Sequence, residues 1–195
     1  MIQDGPWSSQ SLRSFMPKFK QRRMRRIDTR ISRSIMAGIL CIFLLSACVH
    51  KSELAAEYND SIIGLQEKIV DAIDNLDSTL NKSELTATQL DLAMTALKVD
   101  VAHGLLALDS IGSFEKDPSL KVAAQELFGQ YQSFANTEYV ELVRISKLPL
   151  DSINNAVVDT TIELKQRINT LAKMAQDKFM FAQIEFGKKH HLEFE

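Results

Sequence analysis

Two adjacent histidines near the C-terminus are the residues whose types are best suited to binding a metal ion. His190 and His191 have Glu193 and Glu195 close by, and imidazole and carboxylate groups are common metal ligands. Neighbouring residues on a helix point about 100° apart, however, and no third ligand follows at a fixed spacing. We therefore interpret the pair as ordinary surface residues and predict no metal site.

Paired carboxylates are the second arrangement that could support chemistry. Glu53 and Glu57, and likewise Glu138 and Glu141, are spaced to share one face of a helix, and we interpret them as solvated charges rather than as acid/base couples. The sequence has no Glu-x-x-His motif of the kind that di-iron helical bundles use, no Gly-x-Ser-x-Gly elbow and no phosphate-binding glycine loop. It therefore predicts no cofactor and no enzymatic activity.

One cysteine stands in a context that indicates covalent modification. An apolar run over residues 35–45 is preceded by six arginines between residues 22 and 33, and it ends in Leu45, Ser46, Ala47 and Cys48. The eleven residues of the run are far fewer than the roughly 20 that a membrane-spanning helix needs, so they are typical of a signal peptide. We expect translation to begin at Met24, which would place Cys48 at an ordinary distance from the start.

This segment resembles the signal peptide of bacterial lipoproteins. The resemblance implies that the thiol of Cys48 receives a diacylglyceryl group and that a signal peptidase, recognising Leu45, Ser46 and Ala47, cuts before Cys48. It also implies that the new amino terminus is acylated, with palmitate as a typical chain. In enteric-type lipoproteins an aspartate after the cysteine retains the protein in the inner membrane. Because Val49 stands there, we expect the outer membrane, with the bundle on its periplasmic or surface face. The segment 49–52 lacks the aspartate-rich start of some surface-exported lipoproteins, which favours the periplasmic face.

The charge of the chain is unevenly distributed. Residues 1–47 hold nine of the 23 Lys and Arg but two of the 25 Asp and Glu, so the remaining 148 residues carry a net charge near −9. An acidic body disfavours nucleic acid and anionic lipid as partners, and the acyl chains on Cys48 are then the expected membrane contact. No cysteine follows Cys48, so the body has neither disulfides nor thiol metal ligands.

Apolar residues recur at helical spacing throughout the body, and they predict an all-α, antiparallel, up-down-up-down four-helix bundle. We divide the chain into a leader at 1–47, a polar tether at 48–52 and a bundle domain at 53–195. The predicted helices cover residues 53–80, 84–111, 118–148 and 153–189. Their predicted N-caps are Ser52, Ser83, Asp117, and Asp151 or Ser152.

Each predicted helix has an apolar stripe assigned to the core. In the first helix that stripe consists of Tyr58, Ile62, Leu65, Ile69, Ala72 and Leu76, and in the second helix of Leu85, Leu92, Ala96, Val99 and Leu106. Gly104 costs about 1 kcal/mol relative to alanine within a helix, so we expect it to let a neighbouring helix approach closely.

Six aromatic residues on the third and fourth predicted helices form the candidate binding surface. They are either core residues or, where exposed, the walls of a binding surface; the set is Tyr131, Phe134, Tyr139, Phe179, Phe181 and Phe186.

Short segments of the body resemble a group of uncharacterised helical-bundle lipoproteins. They are Tyr58-Asn59-x-x-Ile62, Gln66-x-Lys68-Ile69-Val70 and Phe181-Ala182-x-x-x-Phe186-x-Lys188-Lys189. The group implies the bundle fold and the anchor but no activity.

We therefore expect a non-enzymatic, lipid-anchored cell-envelope protein whose bundle serves protein interaction or envelope structure. The alternative is a protein that binds a small ligand or lipid in a cavity between the third and fourth helices.

Overall fold

The computed structural model describes the backbone of residues 38–82 and 86–192, and the side chains of 51–82 and 86–192. The chain is all-helical, as predicted, with four long helices packed together. Apart from one isolated bridge between Phe114 and Asp117, these ranges contain no β-structure. The α-helices are α1 (Gly38–Leu80), α2 (Ala87–Ser110), α3 (Ser119–Asn136), α4 (Glu138–Ser146) and α5 (Asn155–Lys189), with a 3₁₀ turn at Leu150–Ser152.

Helix α1 is longer than the sequence predicts. Its 43 residues run without a break through Ser52, so Ser52 is not an N-cap and residues 48–52, expected to form a tether, are helical. At 1.5 Å per residue the helix is about 64 Å long. The predicted stripe is buried at Ile62, Ile69 and Leu76, because the spacing of seven residues brings these side chains onto one face.

Helix α2 begins at a capping box. The Thr86 hydroxyl accepts a hydrogen bond from the Gln89 backbone amide at 3.2 Å, and the Gln89 side chain accepts one from the Thr86 amide at 3.3 Å. Reciprocal bonds of this kind satisfy two of the unpaired donors at a helix start. The predicted cap, Ser83, lies outside the described residues.

In the turn between α2 and α3, two residues have positive φ values, a backbone conformation that residues other than glycine rarely adopt. Glu115 and Lys116 have φ values of 48° and 67°. The Asp117 carboxylate then accepts a hydrogen bond from the Ser119 amide at 3.0 Å. Asp117 therefore acts as the predicted capping side chain, although helical geometry starts at Ser119 rather than at Pro118.

The third predicted helix is divided at Thr137. This residue has φ −126° and ψ −81° and separates α3 from α4. Its hydroxyl donates to the Ser133 carbonyl at 2.7 Å. The prediction of one uninterrupted helix to residue 148 was wrong here, because the apolar period continues through Thr137 and does not reveal the break.

Helix α5 starts later than predicted, at Asn155. The Asn154 side chain accepts a hydrogen bond from the Val157 amide at 3.1 Å, whereas Asp151 and Ser152 belong to the preceding 3₁₀ turn. The four buried residues of α5 all lie in its C-terminal third, at Phe179, Gln183, Phe186 and Gly187. The first half of α5 rests on the bundle through half-buried side chains.

Helices α1 and α2 are in close contact at Gly104. A Cβ atom added to Gly104 would lie 2.8 Å from Cδ1 of Ile69 and 3.6 Å from Cδ2 of Phe128. The expectation of a close approach at Gly104 is therefore confirmed, because α1 and α2 pack where this residue has no side chain. None of the described helices combines the length and the apolar composition that crossing a bilayer requires.

Candidate functional site

Five of the six aromatic residues proposed as a binding surface are buried. Tyr131, Phe134, Tyr139, Phe179 and Phe186 are each at most 3% exposed, whereas Phe181 is 65% exposed. The interpretation as core residues is the correct one for these five, and they cannot form a surface. Phe181 is the member that remains available to a partner.

The buried tyrosines tie α1, α3, α4 and α5 together through polar contacts. The Tyr131 hydroxyl accepts a hydrogen bond from Gln176 Nε2 at 3.2 Å, and the Tyr139 hydroxyl donates to Asp77 Oδ2 at 3.4 Å. Burial raises the pKa of Asp77 to about 6, while Tyr139 and the charge of Lys165 act in the opposite direction. This carboxyl can therefore change its charge near neutral pH.

His190 belongs to an aromatic cluster. Its ring centroid lies 4.9 Å from that of Phe114 and 4.6 Å from that of Phe186, and Tyr58 packs against both phenyl rings. Burial lowers the pKa of His190. In the part of the chain that the structure describes, no group of three or more His, Cys, Asp or Glu side chains is arranged to hold a metal ion.

The carboxylate pairs also fail to form a site. Glu141 receives two hydrogen bonds from Arg144, at 2.6 and 2.7 Å, whereas Glu138 is buried and lies 3.8 Å from Arg167 Nη1. The two glutamates thus have different partners. Glu53 and Glu57 are exposed.

A groove of about 650 Å³ opens between α4 and α5. It is lined by Glu138, Glu163, Gln166, Arg167, Thr170 and Leu171. This is the place where the sequence predicted a ligand cavity, but five of the six lining side chains are polar or charged. The Arg167 guanidinium and the two carboxylates of Glu138 and Glu163 are the lining groups that could bind a small charged molecule.

The largest departure from the sequence prediction is on α2, where the expected core stripe faces outward. Leu92, Val99 and Leu106 are 66%, 59% and 70% exposed. The side of α2 that packs on the bundle instead carries Leu90, Ala93, Met94, Leu97, Val101, Gly104 and Leu108. Helix α2 thus has two apolar faces, and a helix that is apolar on both sides is typical of one with partners on both sides.

The outward face of α2, which we call the α2 stripe, consists of Leu92, Thr95, Val99, Ala102 and Leu106. All five residues are exposed and none is charged. They follow a heptad, with large residues at intervals of seven and small ones three positions after the first two. Leu85, one heptad earlier, lies outside the described residues.

Two acidic residues beside the α2 stripe already have partners within the chain. Asp91 lies 2.5 Å from Lys147 Nζ, and the Asp109 carboxylate accepts a hydrogen bond from Gln125 Nε2 at 2.9 Å. These contacts hold the acidic groups toward α3 and the segment after α4. The stripe is therefore an apolar surface with little uncompensated charge on that flank.

Among the described residues, the other exposed apolar side chains form smaller groups, such as Met174 and Phe181, which lie seven residues apart on α5. Leu150, Ile153, Val158 and Ile162 are exposed around the start of α5, but their separations of three, five and four residues follow no heptad. The α2 stripe is the surface best suited to receive a second helix. The sequence contained one signal for this orientation: Gly104, which must face a close neighbour, does not share a face with Val99 or Leu106.

Comparison with known proteins provides no further assignment: no protein family, curated protein or solved structure matches this chain.

Proposed function

We propose that this chain is a lipid-anchored, non-enzymatic protein of the bacterial cell envelope whose helical bundle presents the α2 stripe to a protein partner. The observation that carries the proposal is the exposure of Leu92, Val99 and Leu106 along one face of a single helix. Monomeric soluble proteins rarely leave a contiguous apolar surface without a use.

The anchor is proposed from the lipobox-like segment at Leu45, Ser46, Ala47 and Cys48. Cleavage before Cys48 would leave the acylated residue at the start of the remaining part of α1, which continues to Leu80. The bundle would then stand directly on its lipid, without a flexible linker. From Val49 we propose the outer membrane and its periplasmic face.

We also propose that the long helices alternate in direction. Near the start of the described part of α1, Tyr58 packs against Phe186 and Asn59 accepts a hydrogen bond from Gln183. Asp77 comes later in α1, and its neighbour Lys165 comes earlier in α5. The residue numbers of the partners in α5 fall as those in α1 rise, which supports an antiparallel arrangement of α1 and α5. Short connections between the other helices favour the up-down-up-down order.

The anchor is tested by replacing Cys48 with alanine and labelling cells with an alkyne fatty acid. We expect the unchanged chain to incorporate the label and to be processed, and the variant to do neither. Labelling of the Cys48→Ala chain would exclude lipidation at this cysteine. Separation of inner and outer membranes then tests the localisation.

The partner surface is tested by placing a photo-cross-linking amino acid at Val99 in living cells. Gln132, exposed on α3, is the matched control position. We expect a defined protein adduct from position 99 and none from position 132. Indistinguishable adduct patterns at the two positions would contradict a specific role for the α2 stripe.

A second candidate function rests on the groove between α4 and α5. Its lining residues, including Glu138, Arg167 and Thr170, would suit a small charged ligand. Native mass spectrometry of the delipidated protein, purified from its own host, would reveal a retained ligand. Loss of that ligand from an Arg167→Ala variant would favour binding over protein interaction, and a ligand-free mass would argue against it.

A further inference from the structure

We propose that the partner of the α2 stripe is a second copy of this chain, and that two copies pair side by side with their α2 helices parallel. The parallel direction rests on the proposed membrane anchor. The pairing itself rests on the period and the charge of the stripe, and the small size of the stripe makes the shared membrane necessary.

The period of the stripe specifies a helix as its occupant. Leu92, Val99 and Leu106 recur every seven residues, and a strict seven-residue apolar repeat keeps one seam facing a partner helix. Thr95 and Ala102 stand at the intervening core positions. Their small side chains allow the two helix backbones to come close together.

The charges around the stripe permit two identical faces to meet. A two-fold symmetric interface places each residue near its own counterpart, so a charged seam would repel itself. When two α2 helices pair in parallel and in register, Asp91 of one copy faces Ala96 of the other, and Lys98 faces His103. These are the positions that flank a heptad seam. No two aspartates and no two lysines face each other across these positions. Asp109 stands at the next core position of the heptad, but its carboxylate accepts a hydrogen bond from Gln125 on α3, so the proposed seam ends at Leu106.

The size of the stripe explains why the shared membrane matters. From Leu92 to Leu106 the seam is about 21 Å long at 1.5 Å per residue, and one helix face of this length is smaller than the roughly 800 Å² per partner of a standard interface. Pairing in dilute solution is therefore expected to be weak. Anchoring both copies in one membrane raises their effective concentration, and it also aligns their α2 helices in the same direction.

Disulfide cross-linking of the full chain tests the proposal. A parent chain carrying Cys41→Ser and retaining Cys48 receives one new cysteine at Leu92, Val99 or Leu106, with Gln132→Cys as the control. Membranes are treated with a mild oxidant, and the parent without a new cysteine gives the background. We expect disulfide dimers from all three stripe positions and background levels from Gln132→Cys.

Any other pattern of disulfide cross-linking contradicts the proposal. Dimers from one stripe position alone indicate antiparallel helices. In an antiparallel pair the two-fold axis crosses the helices at one point, and only residues near that point lie close to the same residue of the other copy. Background levels at all three positions exclude the second copy as the occupant. Similar yields at Gln132→Cys show random collision.

A second pair of variants separates loss of pairing from loss of folding. Val99→Asp in the Leu106→Cys chain puts two like charges at the seam, and we expect about tenfold less dimer, equivalent to about 1.4 kcal/mol. Val122→Asp, at another partly exposed valine, should leave the yield unchanged. Equal yields from the two variants would contradict the proposal, and circular dichroism verifies that both retain their helices.

Failure of this pairing can be distinguished from failure of the proposed lipid anchor. Repeating the oxidation with the Cys48→Ser chain at high protein concentration in detergent micelles removes the anchor but keeps the stripe. The high concentration replaces the effect of the shared membrane, so we still expect dimers at the stripe positions. Loss of lipid labelling would therefore refute the anchor without affecting this readout. A photo-adduct at Val99 whose mass differs from that of two copies of this chain would support a different protein partner and refute the second copy.

Discussion

The Gln183 side chain donates a hydrogen bond from Nε2 to Oδ1 of Asn59 at 2.9 Å, and both side chains are 1% exposed. The bond joins α1 to α5 across 124 residues of sequence. Its position among apolar core residues makes it sensitive to the loss of either partner, since a buried polar atom left unpaired costs about 1–3 kcal/mol.

Removing one partner of this bond should destabilise the fold more than removing both. We expect Gln183→Leu to lower the free energy of unfolding by about 1–3 kcal/mol, because the Asn59 oxygen loses its donor. Adding Asn59→Leu should restore much of that loss, since the core then contains two apolar side chains. Urea unfolding of the single and double variants measures the coupling, and additive effects would show that the bond contributes little. Gln132→Leu on the surface is the control.

Asp77 should make stability depend on pH. Because its pKa is about 6 in the folded chain against 3.8 for an ordinary aspartate, the folded state holds the proton more tightly. The stability that this group contributes is therefore lost as pH rises from about 4 to 6. Asp77→Asn should raise the free energy of unfolding by about 1–3 kcal/mol at pH 7.5 and change it little at pH 4.

Unfolding curves at the two pH values test this expectation for Asp77. Glu67→Gln, at an exposed carboxyl of the same helix, should show a much smaller difference between them. An equal effect of Asp77→Asn at both pH values would mean that its carboxyl does not titrate differently in the folded chain.

Two glycines within helices should respond in opposite ways to alanine. A Cβ at Gly129 meets no atom within 4 Å, so Gly129→Ala should stabilise the chain by about 0.5–1 kcal/mol through helix propensity. At Gly104 the new Cβ would stand 2.8 Å from Ile69 Cδ1, and displacement of a fully buried side chain should cancel or exceed that gain. Thermal unfolding of both variants measures the difference. A rescue of Gly104→Ala by Ile69→Val would identify Ile69 as the obstruction, and equal stabilisation at the two sites would contradict the close approach.

The start of α5 is tested by its cap. Asn154→Ala should lower stability by about 1 kcal/mol, because the Val157 amide loses its acceptor. Ser152→Ala removes one of the two residues that the sequence predicts as a cap and should change stability by less than about 0.5 kcal/mol. The reverse order in urea unfolding would place the start of the helix at residue 152.

Several features of the fold could be read directly from the sequence. The separations of Ile62, Ile69 and Leu76 identified the buried face of α1, and the capping role of Asp117 followed from its position before Pro118. These features depend on neighbours along the chain. Helical period and proline geometry are local effects, so they are predictable without knowledge of the packing.

The helix boundaries near Thr137 and Asn154 were less predictable. Several residues close to each boundary can cap or interrupt a helix, and the competition between them is decided by small differences in local hydrogen bonding. The aromatic residues posed a related problem, since rings such as Tyr131 and Phe181 are equally suited by type to a core or to an interface.

The sequence by itself determined that the body is all-helical and that α2 carries an apolar heptad through Leu92, Val99 and Leu106. Only the tertiary structure decided which face of α2 enters the core. Hydrophobicity is not directional, so two apolar faces on one helix are nearly equivalent until another helix must approach. The approach of Ile69 requires the absence of a side chain at Gly104, and burying that face turns Val99 outward.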